Sequence, residues 1–481
     1  MIGDFKMAKL GSCVIFGCGS YGKQTLKKLR PHYDVVAFCD NNASLYGLVI
    51  EDTPVVSLEE LLKHEKNGAI VVVSNRTKYR QIAVQLIRLG VNKVYIMNEG
   101  FSYFYGDGEM FPFSLLPENV YFKKKSAEKL SVLYVQYYPN IRLSRIAKVI
   151  KELNCEVVIA YYAGTHQKGT IDVFENNCYC FSTYDELFSW VNFSEIDIVH
   201  VANRRLVTLL LHTNKKIILD VHDVYSFFEN LSPEELLIEF IENSLCDGAI
   251  YTNKTIQDIV LQKYGMDTSK THIVENFPLK NCAVSKRYRK LSESDNMLHI
   301  VYQGDMAVLD SNERNFTSYW LKLAKAGVHI HIYSSHIGYQ EIEQIIKENQ
   351  FIHYEGNLSS DELASEMTKY NCGWMMFNTE EGISKVHLDY CSTNKLYEYL
   401  NSGLPVIIGD SKCHKEFVEK YHCGSTLNFN EDIIAQLNKI SLMKIADDFI
   451  VKNKFTMEDQ ANGILNFYKS IIENDVEKDS E

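Results

Sequence analysis

The sequence is short of basic charge, of paired cysteines and of long apolar runs, and each shortage excludes a class of function. Lys and Arg number 50 against 62 Asp and Glu, for a formal net charge of -12. Neutralising nucleic-acid phosphates needs a basic excess, so no nucleic-acid partner is expected. The twelve cysteines are scattered singly apart from Cys178 and Cys180. Without paired CxxC units at zinc spacing or a disulfide framework, they read as reduced thiols serving as small apolar residues. No stretch reaches the roughly 18 apolar residues of a membrane span. Residues 1–10 are mixed and lack the apolar run of a secretory leader, which predicts a cytoplasmic chain. Any membrane contact is then peripheral, at the inner face. Lys123, Lys124 and Lys125 are the candidate contact, with plain solvation of these lysines as the default. Fixed-period repeats and low-complexity tracts are also missing, and the tail after Asn474 is acidic.

What is present is globular. Hydrophobic residues make up 46% and charged residues 23% of 481 positions, a length that predicts two or three domains. Short apolar runs alternate with amphipathic stretches of about 10–15 residues, the pattern of βα units and parallel sheets. Candidate strands fall in three series. The first is 13–16, 35–39, 69–73 and 94–97. The second is 132–136, 157–161, 196–201, 216–221, 248–251 and 271–274, and the third 298–302, 328–333, 351–354, 373–377 and 405–408. The fold class is therefore α/β, with three Rossmann-like, doubly wound domains. Boundaries are expected at 8–99, 130–285 and 296–450, with a packed linker over 100–129 and a C-terminal helix over 451–473 that crosses back to the middle domain.

The first strand runs into Gly17-Cys18-Gly19-Ser20-Tyr21-Gly22 and then a helical pattern. This is GxGxxG in its strand–turn–helix context. Gly17 permits the tight turn, Gly19 lets a pyrophosphate approach the backbone, and Gly22 lets the helix pack on the strand. The N–H groups of the helix start, near Ser20 and Tyr21, would face an anion. Asp40 ends the next strand, 18 residues after Gly22, where a ribose-binding acid is expected. A nucleotide, a nucleotide sugar or NAD is the ligand class; the alternative is a turn kept after its ligand was lost. With the phrase VVAFCDNN at 35–42, residues 8–99 resemble the small N-terminal nucleotide-sugar-binding domain of sugar acetyltransferases. That resemblance implies binding rather than redox chemistry.

Residues 393–408 read TNKLYEYLNSGLPVII. Thr393 or Asn394 can cap a helix that Gly403 ends, and Pro405 leads into a buried strand. On that helix Leu396, Tyr399 and Leu400 share the sheet-facing side, while Lys395 and Glu398 lie one turn apart on another. A lysine with a helix dipole suits a diphosphate, and a glutamate one turn on can accept both hydroxyls of a ribose. This segment resembles the donor signature of GT-B glycosyltransferases of the retaining, group 1 or family 4-like kind, and the likeness extends over about residues 130–470. It implies Lys395 on donor phosphate and Glu398 on ribose. Gly304, in VYQGD at 301–305, would open the donor lobe, with Asn394 beside Lys395. In the first lobe DIVH at 197–200 and LDVHD at 219–223 look like strand ends pointing at the cleft.

The sequence departs from that pattern in places. Tyr390, with Asp389 adjacent, stands eight residues before Glu398, where the family's retaining branch carries a glutamate. After Gly304 the first basic residue is Arg314, so diphosphate neutralisation rests on Lys395 with Arg314 or Lys385. The glycine loop of the first lobe is replaced by YPNIR at 138–142, placing Arg142 toward the acceptor.

The implied reaction moves a sugar from a nucleotide-diphosphate sugar to a glycan or lipid-linked acceptor, in surface polysaccharide synthesis. Lys395 stabilises the leaving diphosphate, and His222 with Asp223 contacts the transferred sugar or the acceptor hydroxyl. Lobe closure would exclude water. No DxD pair is placed for a metal, so transfer is expected to need neither metal nor other cofactor. Two alternatives stay open: a non-catalytic nucleotide-sugar-binding scaffold, and an NAD-dependent oxidoreductase or epimerase acting through the first domain. Donor base, acceptor identity, stereochemistry and oligomeric state are not legible.

Overall fold

A computed structural model describes residues 9–75, 78–97, 110–113, 121–137, 140–162, 174, 177–202, 204–228, 232–280, 284–306, 313–334, 340–379 and 385–476. The chain is mixed α/β, and its parallel sheets are flanked by helices. It divides into two compact units. The first comprises residues 1–125, 180–196 and 208–215, and the second comprises 126–179, 197–207 and 216–481.

In the first unit the strands run in the order Val49–Ile50, Thr53–Val56, Asp34–Cys39, Ser12–Phe16, Ile70–Val73, Val94–Met97, Met110–Phe113. The two outermost pairings are antiparallel and the rest parallel. The central strands Ser12–Phe16 and Ile70–Val73 are buried over all but their first residue, as strands covered on both faces are. Within the segment read as a linker, Met110–Phe113 is an edge strand. Its register pairs Tyr95 with Pro112, and an edge is where a strand tolerates proline. Arg80 holds residues 180–196 to this unit. It is buried, its Nε donates to Asp185 across 3.2 Å, and its guanidinium lies 4.6 Å from the Tyr79 ring. Lys123 pairs with Glu195 at 3.3 Å and remains two-thirds exposed.

The second unit holds two further sheets. One runs Glu156–Tyr162, Ser131–Gln136, Ile198–Val201, Lys216–Val221, Gly248–Tyr251, Thr271–Ile273. The other runs Ile352–Gly356, His329–Tyr333, His299–Gln303, Cys372–Met375, Val406–Ile408, Gly424–Thr426, parallel throughout. In both, the chain starts near the centre, builds to one side and then to the other. A crevice is therefore left at the carboxyl ends of the two central strands, where such sheets bind ligands.

The terminal helix Met457–Val476 completes the core of the earlier sheet, not of the one that precedes it in sequence. Met457, Ala461, Ile464, Phe467, Tyr468 and Ile471 are buried among Val132, Ile146, Ile218 and Ile250. A side chain at Gly248 would meet Phe467 and Ile471 at 2.9 Å, so the helix lies directly on the strand backbone. His200 serves the same junction. Its Nδ1 is 2.6 Å from the Tyr468 hydroxyl, and its side chain is fully buried. The strand end DIVH thus points into the core and not at a cleft, because the crossing helix offers His200 a buried partner.

Candidate functional site

The helix Asn394–Asn401 is set in place by a missing side chain. A Cβ on Gly373, in the central strand Cys372–Met375, would lie 2.3 Å from the ring of Tyr399. Tyr399 fills that space, is fully buried, and accepts a hydrogen bond from the backbone N–H of Gln303 at 3.1 Å. Leu396 and Leu400 bury on the same face, so the opposite face carries Lys395 and Glu398 toward the carboxyl end of His299–Gln303. Thr393 is the N-cap residue, yet its side chain caps nothing. Its hydroxyl turns to Met375 Sδ, 3.8 Å away. The first N–H groups of the helix are left without a side-chain acceptor, as an anion requires.

These groups border a cavity of about 370 Å³ lined by Gln303, Gly304, Asn394, Lys395, Glu398 and Arg145, among others. Gly304 has φ +122, and a Cβ there would come within 2.7 Å of Lys395 Cε. Any other residue would be strained and would evict the lysine. The Lys395 ammonium is 3.2 Å from the Tyr302 hydroxyl and 4.6 Å from the centre of that ring. Burial, and after it the charge of Arg314, pull its pKa down to about 8 against the opposing effect of Glu398 and Asp305. The side-chain oxygen of Asn394 is buried without a hydrogen-bond partner.

Glu398 is gripped on both oxygens. Oε1 accepts from Arg145 Nη2 at 2.6 Å and Oε2 accepts from the Gln303 amide. Arg145 is 4% exposed and comes from the first-lobe helix Ile141–Glu152. The sequence reading settled on its neighbour one turn earlier, and here the structure differs. Arg142 is buried and forked onto Asp220, with Nη1 donating to Asn276 at 2.7 Å. It has no face left for an acceptor. Burial opposes the ionisation of Asp220, but the charge of Arg142 holds its carboxyl well below the usual range, with His200 Nε2 3.6 Å away. The pair locks the helix to the strand Lys216–Val221 and so aims Arg145. Two arginines three residues apart on an amphipathic helix were the available signal, and spacing alone does not say which of these two buried side chains reaches Glu398.

His222 and Asp223 follow the strand Lys216–Val221, each about half exposed, with Nδ1 and Oδ2 3.5 Å apart. Burial works against the Asp223 charge, yet the His222 hydrogen bond and the charges of His222, His387 and Arg314 hold it below its ordinary value. They do not line the 370 Å³ cavity. Arg314 links the two groups electrostatically, acting on both Asp223 and Lys395. Lys385 lies apart, paired with Asp410 at 3.5 Å. Tyr390 is engaged with the first lobe, its carbonyl accepting from Asn253 at 2.8 Å.

Residues 302–451 match the family model described as Glucosyltransferase 3-like, C-terminal domain, and residues 10–97 match the one described as C2185-like, N-terminal. A glycosyltransferase from Rickettsia africae ESF-5 superposes with a TM-score of 0.53 at 14% identity, over 72% of this chain and 100% of that one. A sucrose-phosphate synthase from Thermosynechococcus elongatus gives the same TM-score and coverage at 10% identity. No curated protein matches the sequence. The chain has a GT-B glycosyltransferase fold.

In the first unit Gly17 has φ +114, and a Cβ there would press on the Ser74 carbonyl at 2.4 Å. One on Gly22 would meet the Gly17 carbonyl, which is how closely the helix Ser20–Leu29 lies on the turn. Gly19 is the N-cap and offers no side-chain acceptor. Asp40 is committed to the turn itself, accepting from the N–H groups of Cys18 and Asn42 at 3.0 Å each. A cavity of about 390 Å³ opens beside it, lined by Gly17, Asp40, Asn75, Lys78 and Gln81 among others. Gly19, Ser20 and Tyr21 lie outside that lining.

Proposed function

We propose that this chain transfers a sugar from a nucleotide-diphosphate sugar to a glycan or lipid-linked acceptor, in surface polysaccharide synthesis. One observation carries the reading: a half-buried lysine and an uncapped helix start share a cavity with a glutamate one turn on. Lys395, with Arg314 behind it, meets the charge that develops on the leaving diphosphate, the term that dominates such catalysis. Asn394 and the N–H groups beside it extend that cradle, and the glycine at 304 leaves room for phosphate. Glu398 accepts from the ribose hydroxyls. Each carboxylate oxygen has two lone pairs, so it does this while Arg145 and Gln303 keep it aimed. His222 and Asp223 stand at the sugar and acceptor side. The matched description, glucosyltransferase 3-like, favours a hexose donor, and the family resemblance favours retention. We assign the first domain a nucleotide, nucleotide-sugar or NAD ligand, with Lys78 as the nearest cation of its cavity.

Tyr390 in place of a carboxylate favours a second reading, in which donor is bound but not transferred. One experiment addresses both. The purified chain is melted with a panel of nucleoside diphosphates, and donors that raise Tm are then offered with glycan acceptors under product analysis. A Tm shift with transfer supports the enzyme, and a shift without transfer supports the scaffold. No shift with any nucleotide defeats both.

A further inference from the structure

Four histidines stack on one face of the third sheet, away from the donor cavity. His299, His329, His331 and His353 come from three adjacent strands, with ring centres as close as 4.5 Å. The strands end at Gln303 and Tyr333, which line the donor cavity. His299 and His329 begin those same strands, four residues and roughly 13 Å away.

Their hydrogen bonds form a chain with a carboxylate at each end. Asp295 Oδ2 is 3.0 Å from His299 Nε2, His299 Nδ1 is 2.9 Å from His331 Nε2, and His331 Nδ1 is 2.7 Å from Glu355 Oε1. Three links need three hydrogens, but two neutral imidazoles carry one N–H each. The chain is one positive charge short. If a cation replaces the hydrogen between Asp295 and His299, the other two links are satisfied by Nδ1–H of each ring, and both carboxylates stay ionised. His329 stands beside that position. Its Nδ1 is 2.8 Å from His353 Nε2, which leaves Nε2 as the ring nitrogen for a ligand bond. One donor atom from each of Asp295, His299 and His329 lies within 4.8 Å of the others.

We propose that Asp295, His299 and His329 bind a divalent transition-metal ion of the zinc class, separate from the sugar-transfer site. Two imidazoles and one carboxylate without sulfur suit zinc, cobalt or nickel rather than magnesium or calcium. Bonds of about 2.1 Å place tetrahedral ligands about 3.4 Å apart, and because the His299 and His329 rings stack within 6° of parallel, closing the site takes a tilt of the His329 ring out of that stack. Asp295, with 38% of its side chain exposed, and the half-buried His329 permit that movement. His331 with Glu355, and His353, then hold the ligand rings by their second nitrogens, as partners of metal-bound histidines do.

The test uses the full chain stripped with a chelator, titrated with zinc by calorimetry and with cobalt by absorption, alongside thermal melts. The proposal expects saturable binding of one ion per chain, a higher Tm, and a cobalt spectrum without a thiolate charge-transfer band. Asp295→Asn and His329→Asn should each weaken binding roughly tenfold or more. Asp295→Asn also removes the carboxylate that pairs with His299 in the metal-free chain, so affinity is compared by calorimetry on variants whose metal-free melt stays cooperative. Absence of saturable binding would mean that an extra proton alone completes the chain. Unchanged affinity in both variants, or a thiolate band, would place the ion on cysteines. Either result overturns the proposal.

Discussion

Lys395 carries its charge where burial opposes it, and this conflict can be measured. Its pKa sits at about 8 instead of 10.5, so between those values the unfolded chain binds more protons and stability rises with pH. The destabilisation is fully present below pH 8. Lys395→Met should therefore raise the Tm of the unliganded chain at pH 7 while abolishing any nucleotide-dependent shift. It should also reduce kcat on the order of 10²–10³-fold, as loss of one charge-stabilising donor does. Diphosphate needs the protonated lysine, so nucleotide affinity should fall as pH rises through about 8, with proton uptake on binding near that pH. Calorimetry in buffers of different ionisation enthalpy reads this directly, and in Lys395→Arg the pH dependence should vanish because guanidinium stays charged.

Glu398 makes a different prediction at the same scale. Neutralising it as Glu398→Gln leaves Arg145, 4% exposed, as an unpaired buried cation, which costs about 3–5 kcal/mol. Arg145→Met costs less, because Glu398 is 22% exposed and keeps Gln303 as a partner. Denaturant melts of both singles and the double should show the double losing less than the sum. Independent, additive losses would mean that the ion pair does not form in solution.

At the scale of the element, the helix Asn394–Asn401 depends on a glycine in the neighbouring strand Cys372–Met375. Gly373→Ala puts a methyl 2.3 Å from the Tyr399 ring, inside a packed core where overfilling costs typically about 1–3 kcal/mol. The displaced ring also carries Lys395 and Glu398 with it, so nucleotide-induced stabilisation should be lost as well as Tm. Tyr399→Phe removes only the bond to the Gln303 N–H and should cost about 1 kcal/mol, with nucleotide binding retained. A melt with and without nucleoside diphosphate distinguishes the two. This dependence also marks how far the sequence could be read. The central strands were legible because each is mostly an apolar run, and the helix Asn394–Asn401 because its glycine stop and buried stripe agree. Short edge strands such as Val49–Ile50 and Gly424–Thr426 carry too few residues for any period to show. Lys395 and Glu398 stood out as a pair one turn apart. Arg145 and Gln303 did not, since their significance lies in contacts made across 253 and 95 positions of chain. For Arg142, residue type pointed to a role, but only the buried Asp220 decides which way it faces.

For the second unit as a whole, the last helix is a component of the earlier lobe supplied from the far end of the chain. Six of its side chains lie in that lobe's core, and the Tyr468 hydroxyl is 3.1 Å from that of Tyr134 as well as near His200. Truncation after Phe455 would expose the strand Gly248–Tyr251 along the face that Phe467 and Ile471 cover, and would leave His200 buried against a vacated groove. At roughly 1.5–3 kcal/mol for each large apolar side chain, the loss is comparable to the whole 5–15 kcal/mol that holds an ordinary domain folded. The truncated chain should therefore lose the cooperative melt of the earlier lobe and not merely shift it. Supplying residues 456–476 as a separate peptide should restore that melt in a concentration-dependent way, because binding to the native state alone stabilises it. Tyr468→Phe, which keeps the packing and removes the hydroxyl, should cost about 1 kcal/mol or somewhat more. If the truncated chain melted like the full one, the helix would not be the structural closure of that lobe. The aim of Arg145, which sits on the helix it packs against, would then need another support.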